Sequence, residues 1–390
     1  MTASNLSQET LVLCVGDTTY LDYGKILVKR EGYGPQGHGG NGLLLHSALA
    51  IAPEHGQPLG LLWQKLWNRE HRAQAPAQET VAEKKRRQAE HRKARRARPF
   101  IEKESYRWVE AMTTVEQQVC VSTRIIHVFD REGDIAEVFD QVHDCGHSGV
   151  LIRAAHNRAL EGDPYRLWEK LEAQPIRFKH EVELSETQKR QARTATLEVR
   201  FCPVQLRSPA RLGTDRQLQV TALYAHEIEC CEGEEPVSWM LLTSERVDTI
   251  KQARTMLRWY SYRWRVEEYH KILKSGCNVE RYRLAAEGMK ALLGFLSVIA
   301  AELLRLTYLQ RTQPQMSAQS VLNSAQIEVL KAKSPRLPRF LTIRWAVETI
   351  ALLGGYLEHR RKTPIGIQVL WRGWAKLQHL VEGWELAHQT

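Results

Sequence analysis

The sequence predicts a mixed α/β protein with a β-rich segment set into it and a helical C-terminal region. Three observations predict this. Short apolar runs alternate with helix-like segments between residues 11 and 155. Period-2 and β-branched runs crowd residues 175–246. Long helix-like segments fill most of the chain from residue 248 onward.

Taken in order, "LVLCVGD" (11–17) is a short apolar run that ends in an acid, the pattern of a buried strand. "KILVKRE" (25–31), "LLLHSALAI" (43–51) and "LGLLWQKLW" (59–67) are strand-like and are separated by Gly, Pro or His. A helix is expected over 101–114. "RIIHVFD" (124–130) is a second buried strand that ends in an acid, "DIAEVFDQV" reads as helix, and "GVLIRAA" (149–155) reads as strand. "IRFKHEVEL", "TATLEVRF", "QLQVTALYAHEIE" and "VSWMLLTS" form the β-rich block. Helices are expected over about 248–275 and 284–311. A polar stretch with Pro314, Pro335 and Pro338 then leads to a helical tail over about 339–384. The boundaries expected from these runs are 1–156 for a first α/β part, 157–246 for the β-rich insertion, 247–312 for the second α/β part and 313–390 for the helical region.

The chain has 390 residues, 43% of them hydrophobic and 26% charged, which is ordinary for a globular protein of two or three domains. Its formal charge of +10 favours a polyanionic partner. Seven Cys are scattered with no disulfide spacing, which argues for a reducing, cytoplasmic setting. The N-terminus has no basic stretch followed by an apolar core and cleavage site, so it does not read as a signal peptide. The most apolar run, "ALLGFLSVIAAELLRL", is broken by Glu302 and Arg305 and reads as a buried helix, not a membrane span.

Several motifs carry little. "GYGPQG" (32–37) has the glycine spacing of a dinucleotide fingerprint, but no helix opens directly from it, so a hairpin loop is expected. His143, Cys145 and His147 in "HDCGH" lack a second cluster to complete a zinc site, so a turn is expected. "KKRRQAEHRKARRAR" (84–98) holds nine Lys and Arg. It reads either as a phosphate-tracking arm or as the solvated face of a connecting helix.

Two observations carry more. Asp17 and Asp130 each close a buried strand, where a carboxylate can line a cleft, although an Asp there can also be an ordinary cap. In "YSYRWRVEEYHKILK" (260–274), at ~100° per residue, Arg263, Glu267 and Lys274 fall about 60°, 20° and 40° from Tyr260 on one stripe. Glu268 points about 100° away from Glu267, so Glu267 is the acid that shares a face with the two cations. Trp264 lies beside the stripe. Arg263–Glu267 could also be an exposed i,i+4 ion pair, but such a face has no need of Tyr260 and Trp264. Three acids on two strands and a later helix suit divalent cations, with Arg263 and Lys274 placed for phosphate.

These residues carry a resemblance to the DDE transposases of bacterial insertion sequences. Tyr260, Arg263, Glu267 and Lys274 match the Tyr-x2-Arg-x3-Glu-x6-Lys signature of one subgroup. "GDTTYLDY" resembles the first-acid strand with Asp17, and "DREGDI" resembles the second-acid motif with Asp130, usually written D-R-E-A-D; Gly133 in place of Ala is a mild departure. The similarity continues through "PVSWMLLTSE", "LKSGCNVERYRL" and "LGGYLEHRRKTPIGIQVLWRGWAKL" and covers nearly the whole chain.

The resemblance implies an RNase H-like core interrupted by the β-rich insertion. It implies Asp17, Asp130 and Glu267 as catalytic, metal-holding acids with two Mg²⁺ per active site, for which Mn²⁺ substitutes. It implies cut-and-paste transposition through a DNA hairpin, with double-stranded transposon ends and target as partners, in a homodimer, with no membrane, in the bacterial cytoplasm and on the nucleoid. Tyr260, Arg263, Lys271, Lys274 and Trp264 would contact DNA, and Trp239 would stack on a flipped base.

Only sixteen residues precede Asp17, so the small DNA-recognition domain that the family usually carries there is expected to be absent. Leu370, Trp374, Leu377, Val381 and Trp384 follow 4-3-4-3 spacing, either a dimer seam or a stripe packed on the chain's own domain. The alternatives to a transposase are a truncated relative that dimerises with and inhibits the full-length enzyme, and a metal-dependent DNA nuclease.

Overall fold

The structure is a computed structural model that describes residues 6, 9–24, 32–36, 40–70, 79–119, 122–144, 146–184, 192–213, 216–231, 233–357 and 365–388. The strand-like "KILVKRE" therefore lies outside the described residues, as do Gly37 of the glycine motif and Cys145 of "HDCGH". In chain order the elements are β1 (Leu11–Asp22), β2 (Gly34–Pro35), β3 (Asn41–Ile51), β4 (Pro58–Trp67), α1 (Val81–Ala97), α2 (Tyr106–Gln118), β5 (Arg124–Phe129), α3 (Ala136–Asp144), β6 (Ser148–Arg153) and α4 (Leu167–Glu172). They continue with β7 (Phe178–Leu184), β8 (Arg193–Leu206), β9 (Leu218–Glu227), β10 (Ser238–Thr243), α5 (Ile250–Ser261), α6 (Trp264–Lys271), α7 (Ala286–Thr312), α8 (Ser324–Lys333), α9 (Ile343–Leu353) and α10 (Ile367–His388). The mixed α/β class expected from the sequence is what forms. Contacts divide the chain into two compact units, one of Leu6–Asp17 with Glu70–Arg263 and the other chiefly of Thr18–Arg69 with Trp264–Thr390.

In the first unit, β1 runs parallel to β5 and β5 parallel to β6. β10 joins β6 antiparallel, followed by β9, β8 and β7, each antiparallel to its neighbour. The β-rich block thus continues the α/β sheet through the β6–β10 pair. Parallel strands are covered on both faces, which is why Val12–Val15 and Ile125–Phe129 are unbroken buried runs, apolar except for His127. The outer antiparallel strand β8 alternates instead, as one covered face requires. Trp108 and Met112 of α2, Val138 of α3 and Leu167 and Leu171 of α4 pack with Phe129, Val150, Ile152 and Leu242 in one core cluster. Helix α1 buries no residue at all.

In the second unit, β3 pairs with β4 through a bulged antiparallel register, and Gly34–Pro35 pairs with Asn41–Gly42 as a short hairpin. The described part of the glycine motif lies in this hairpin. Helix α7 packs on β4 and α6 on β3. By length and composition α7 could cross a membrane, but 61% of its apolar window is buried inside the chain, and a buried core helix passes the same test.

Three expectations from the sequence need correction. The helix expected over 248–275 is broken: Tyr262 and Arg263 donate backbone bonds three residues back, to Trp259 and Tyr260, and α6 starts anew at Trp264. Residues 272–276 then widen into a π-turn closed by Cys277 N–H on the Ile272 carbonyl. A uniform 100° per residue therefore does not hold across Tyr260–Lys274. Second, the polar stretch after α7 contains α8, closed at its start by a reciprocal capping box between Asn323 and Gln326. Third, Asp17 does not close a strand: β1 continues past it to Asp22. Of the two readings left open for the C-terminal stripe, packing on its own domain is what forms: Leu370, Trp374, Leu377 and Val381 are buried within this single chain, where α10 packs on α8 and α9. The stripe is thus covered by its own domain. Gly354 and Gly373 let α9 and α10 approach: a Cβ at Gly373 would lie 1.8 Å from the Ile350 carbonyl oxygen.

Candidate active site

In the first unit, the β1–β5 register pairs Val15 with Val128. Continued by two residues, past the end of β5 at Phe129, it would set Asp17 opposite Asp130. Both residues would then share the parity of the Val15–Val128 pair, and their side chains would leave the same sheet face from strands ~5 Å apart. Both are half-buried. Asp130 caps a 3₁₀ turn over Arg131–Gly133 and accepts a 2.9 Å bond from the Glu132 N–H, which fixes its rotamer. Only Asp130 follows the end of its strand; Asp17 lies inside β1, which runs on to Asp22.

Beside Asp130 stands a cationic cluster. Tyr260 is 4% exposed; burial pushes its phenol up, against the pull of the Arg263 and Arg153 guanidiniums, while the Asp130 carboxylate pushes it further up. Burial pulls Arg153 down, opposed by the Tyr260 phenol it bonds, and the Arg131 and Arg263 charges add to the pull. Arg153 also donates to the Ser238 carbonyl at 2.8 Å. Two guanidiniums, Arg263 and Arg153, thus act on one buried phenol, with Arg131 close to Arg153, a gathering of cations suited to phosphate oxygens. The Trp239 ring meets the Tyr260 ring edge-on at 5.4 Å and is 9% exposed.

Glu267, Lys271 and Lys274 belong to the second unit, and so does Trp264. Glu267 lies in the first turn of α6 and is half-buried; Trp264, at its start, is 57% exposed, and Lys271 is exposed. Glu268 is held elsewhere: it accepts from Arg265 at 2.8 Å and from Arg311 at 3.2 Å. Lys274, in the π-turn, lies 3.8 Å from Glu280. The helix that carries Glu267 is fixed by a buried polar network. Gln64 Nε2 donates to Tyr269 Oη and to Ser47 Oγ, both at 3.1 Å; Ser297 donates to Gln64 Oε1 at 2.7 Å; His270 Nε2 lies 3.2 Å from Ser47 Oγ. Burial, helped by the Lys274 charge, pushes the His270 pKa down to about 3, so the ring is neutral and can accept from Ser47.

Among the described residues no three His, Cys, Asp or Glu side chains are grouped to hold a metal ion. Two carboxylates on one face of adjacent parallel strands nevertheless fit a hard divalent cation, which takes few protein oxygens and keeps water and phosphate as its other ligands.

Sequence reasoning passed over Arg131, Arg153 and Asp134. Arg153 closes the apolar run "GVLIR", the same signal that singled out Asp17 and Asp130. Asp134, 1% exposed, accepts from the Ala155 and His156 N–H groups and from Arg158, and so ties the Asp130 turn to the end of β6.

Residues 72–303, more than half of the chain, match the transposase DDE domain family. The match takes in Asp130, Trp239, Tyr260, Arg263, Glu267 and Lys274, and Asp17 lies outside it. A dense cationic cluster beside a strand-end acid, in a chain matched over this length, leaves one conclusion: the chain belongs to the DDE transposases, enzymes that act on DNA, cleave it and transfer its strands in recombination, generally with divalent metal ions.

Proposed function

We propose that this chain is a cut-and-paste transposase of the Tyr-x2-Arg-x3-Glu-x6-Lys subgroup, with an RNase H-like core over 1–156 and 247–312, a β-rich insertion over 157–246 and a helical region over 313–390. The observation that supports the reading is the β1–β5 register, which ends at Val15–Val128 and, continued by two residues, would set Asp17 opposite Asp130. Asp17, Asp130 and Glu267 hold two Mg²⁺ ions, with Mn²⁺ able to substitute. When bound, the ions supply activation of an attacking water or 3′-hydroxyl and stabilisation of the leaving oxygen.

The chain's own residues do the rest. Arg263 and Arg153, gathered on Tyr260, hold phosphate oxygens beside Asp130 and fix the scissile group in line. Lys274 exchanges its Glu280 contact for a phosphate, and Lys271 and Trp264 extend the DNA contact along α6. Trp239, packed on Tyr260, offers ring surface to a base turned out of the duplex as the freed 3′-hydroxyl attacks the opposite strand to close a hairpin. Hairpin opening and strand transfer reuse the same groups. The working form is a homodimer on two element ends, in the cytoplasm and on the nucleoid.

The test uses duplexes taken from the flanks of the chain's own gene, with Mg²⁺, and reads nicking, hairpins and joining of 3′-hydroxyl ends to a plasmid. Asp17→Asn, Asp130→Asn and Glu267→Gln should each lower cleavage by at least ~10³-fold. Glu268→Gln should keep cleavage, since that acid serves the Arg265 and Arg311 ion pairs. Equal loss from Glu267 and Glu268 changes would remove Glu267 from the site. Cleavage without joining would make the chain a nuclease, and self-association without DNA binding would make it an inhibitor.

A further inference from the structure

Helix α1 has no apolar face to bury, and none of its residues is buried. A helix polar all round needs support from its own ends and side-chain pairs. The support at its start is a reciprocal capping box: Thr80 Oγ1 accepts from the Glu83 N–H at 3.3 Å, and Glu83 accepts from the Thr80 N–H at 2.8 Å. Arg95 and Arg96 in the last turn complement the helix dipole.

The charges are sorted by face. At ~100° per residue, Lys84, Lys85, Arg92, Arg95 and Arg96 lie within an arc of about 120°, with Gln88 inside it. Glu83 and Glu90 lie on the opposite side. Two further arginines lean toward that side and are paired there: Arg86 with Glu90 at 3.1 Å and Arg87 with Glu79 at 2.6 Å. Among the described residues no acid forms an ion pair with any of the five cations of the first face. Arg92 stands three and four residues from Arg95 and Arg96, and like charges at those spacings destabilise an isolated helix by about 0.2–0.5 kcal/mol a pair. Stability alone would put an acid among them. The helix instead holds its acids on the other side and leaves one side cationic over about 18 Å of rise.

We propose that the Lys84–Lys85–Arg92–Arg95–Arg96 face of α1 docks on the sugar-phosphate backbone of duplex DNA as a sequence-independent anchor, additional to the residues assigned to cleavage. Charge complementarity fixes the partner class: a row of cations without acids meets a polyanion with one charge per ~1.7 Å of axis. Arg and Lys on an exposed helix reach phosphates without reading bases, so the contact adds affinity and no sequence preference. The inference rests on DNA as the partner of this family, not on the roles proposed for the acids.

The experiment measures binding of the full chain to a random-sequence duplex of about 30 bp by fluorescence anisotropy between about 50 and 200 mM salt, with no metal added. Lys84→Gln, Lys85→Gln, Arg92→Gln, Arg95→Gln and Arg96→Gln are combined, since Gln keeps helix propensity. With these five phosphate-neutralising charges removed, the slope of log K against log salt should become shallower by about 4–5 units. Over that salt range the wild-type chain should then lose about 500-fold more affinity than the variant. Arg86→Gln with Arg87→Gln should change the slope by less than about 1 unit, because those charges are already paired. If the fivefold variant does not fold, Arg92→Gln, Arg95→Gln and Arg96→Gln together should give a change of about 2–3 units. Exchanging Lys and Arg at the five positions should leave the slope unchanged. An unchanged slope in the neutral variants, an equal effect per charge from Arg86 and Arg87, or a loss confined to RNA binding would each overturn the proposal. End cleavage plays no part in the readout, so failure of the cleavage reading and failure of this one are separable.

Discussion

Gly133 sits inside the turn that starts at Asp130, and a Cβ there would lie 2.6 Å from the Phe129 Cβ. Phe129 is fully buried in the core and packs on Trp108 with ring centroids 4.7 Å apart, so it has little room to yield. The family motif usually carries Ala at this place, yet in this chain the glycine is a packing requirement. Gly133→Ala should therefore destabilise the protein, although it restores the usual residue. Forced overpacking of this kind costs about 1–3 kcal/mol, and at ~2–4 °C per kcal/mol the melting temperature should fall by on the order of 5 °C. An unchanged melting curve would show that Phe129 gives way. Asp134, which follows Gly133 directly, is held by Arg158, and this pair anchors the turn from the other side.

Helix α6 is held by polar contacts at the level of a whole element, and this has a measurable pH signature. His270 is buried and neutral with a pKa pushed down to about 3, against an ordinary value of 6.5. Its folded pKa is depressed, so below pH 6.5 the unfolded chain binds a proton that the folded chain refuses. Stability is then fully present above about pH 6.5 and falls as the pH drops toward 3. The loss is about 1.4 kcal/mol per pH unit, or roughly 2 kcal/mol at about pH 5. His270→Gln should flatten the denaturant midpoint between about pH 6.5 and 5 relative to the wild-type chain; equal slopes in the two proteins would place the acid sensitivity elsewhere. The network behind this effect was illegible in the sequence, because Gln64 and Ser47 on two strands meet Tyr269, His270 and Ser297 on two later helices only through tertiary packing. The strands were legible: "LVLCV" is a continuous apolar run and "IIHVF" is broken only by the buried His127, because both faces of β1 and β5 are covered. The break at Tyr262–Arg263 left no mark, since neither Gly nor Pro stands there. Helix α8 did leave one, the Asn323-x-x-Gln326 box, hidden among prolines.

Across the whole molecule, Asp17 and Asp130 are over a hundred residues apart in the chain, and only the parallel pairing of β1 with β5 could bring them together. The strand end before Asp130 was readable, while β1 runs five residues beyond Asp17; a shared face would be a property of register, which a single sequence does not state. That separation gives the proposed metal role a test independent of activity. The unfolded chain cannot present both carboxylates together, so a divalent cation held by them binds the folded state alone and stabilises it by mass action. At a free concentration about 100 times the dissociation constant the gain is about 2.7 kcal/mol, an upward shift in melting temperature on the order of 5–10 °C. Mn²⁺ should give this shift in the wild-type chain without DNA, and Asp17→Asn and Asp130→Asn should each remove most of it. Glu267→Gln should reduce it as well, while Glu268→Gln, whose acid already answers two arginines, should leave the Mn²⁺ increment in place even if the starting melting temperature falls. A full Mn²⁺ shift in the Asp17 and Asp130 variants would mean that the cation stabilises the chain elsewhere, and these two acids would then have no claim to it.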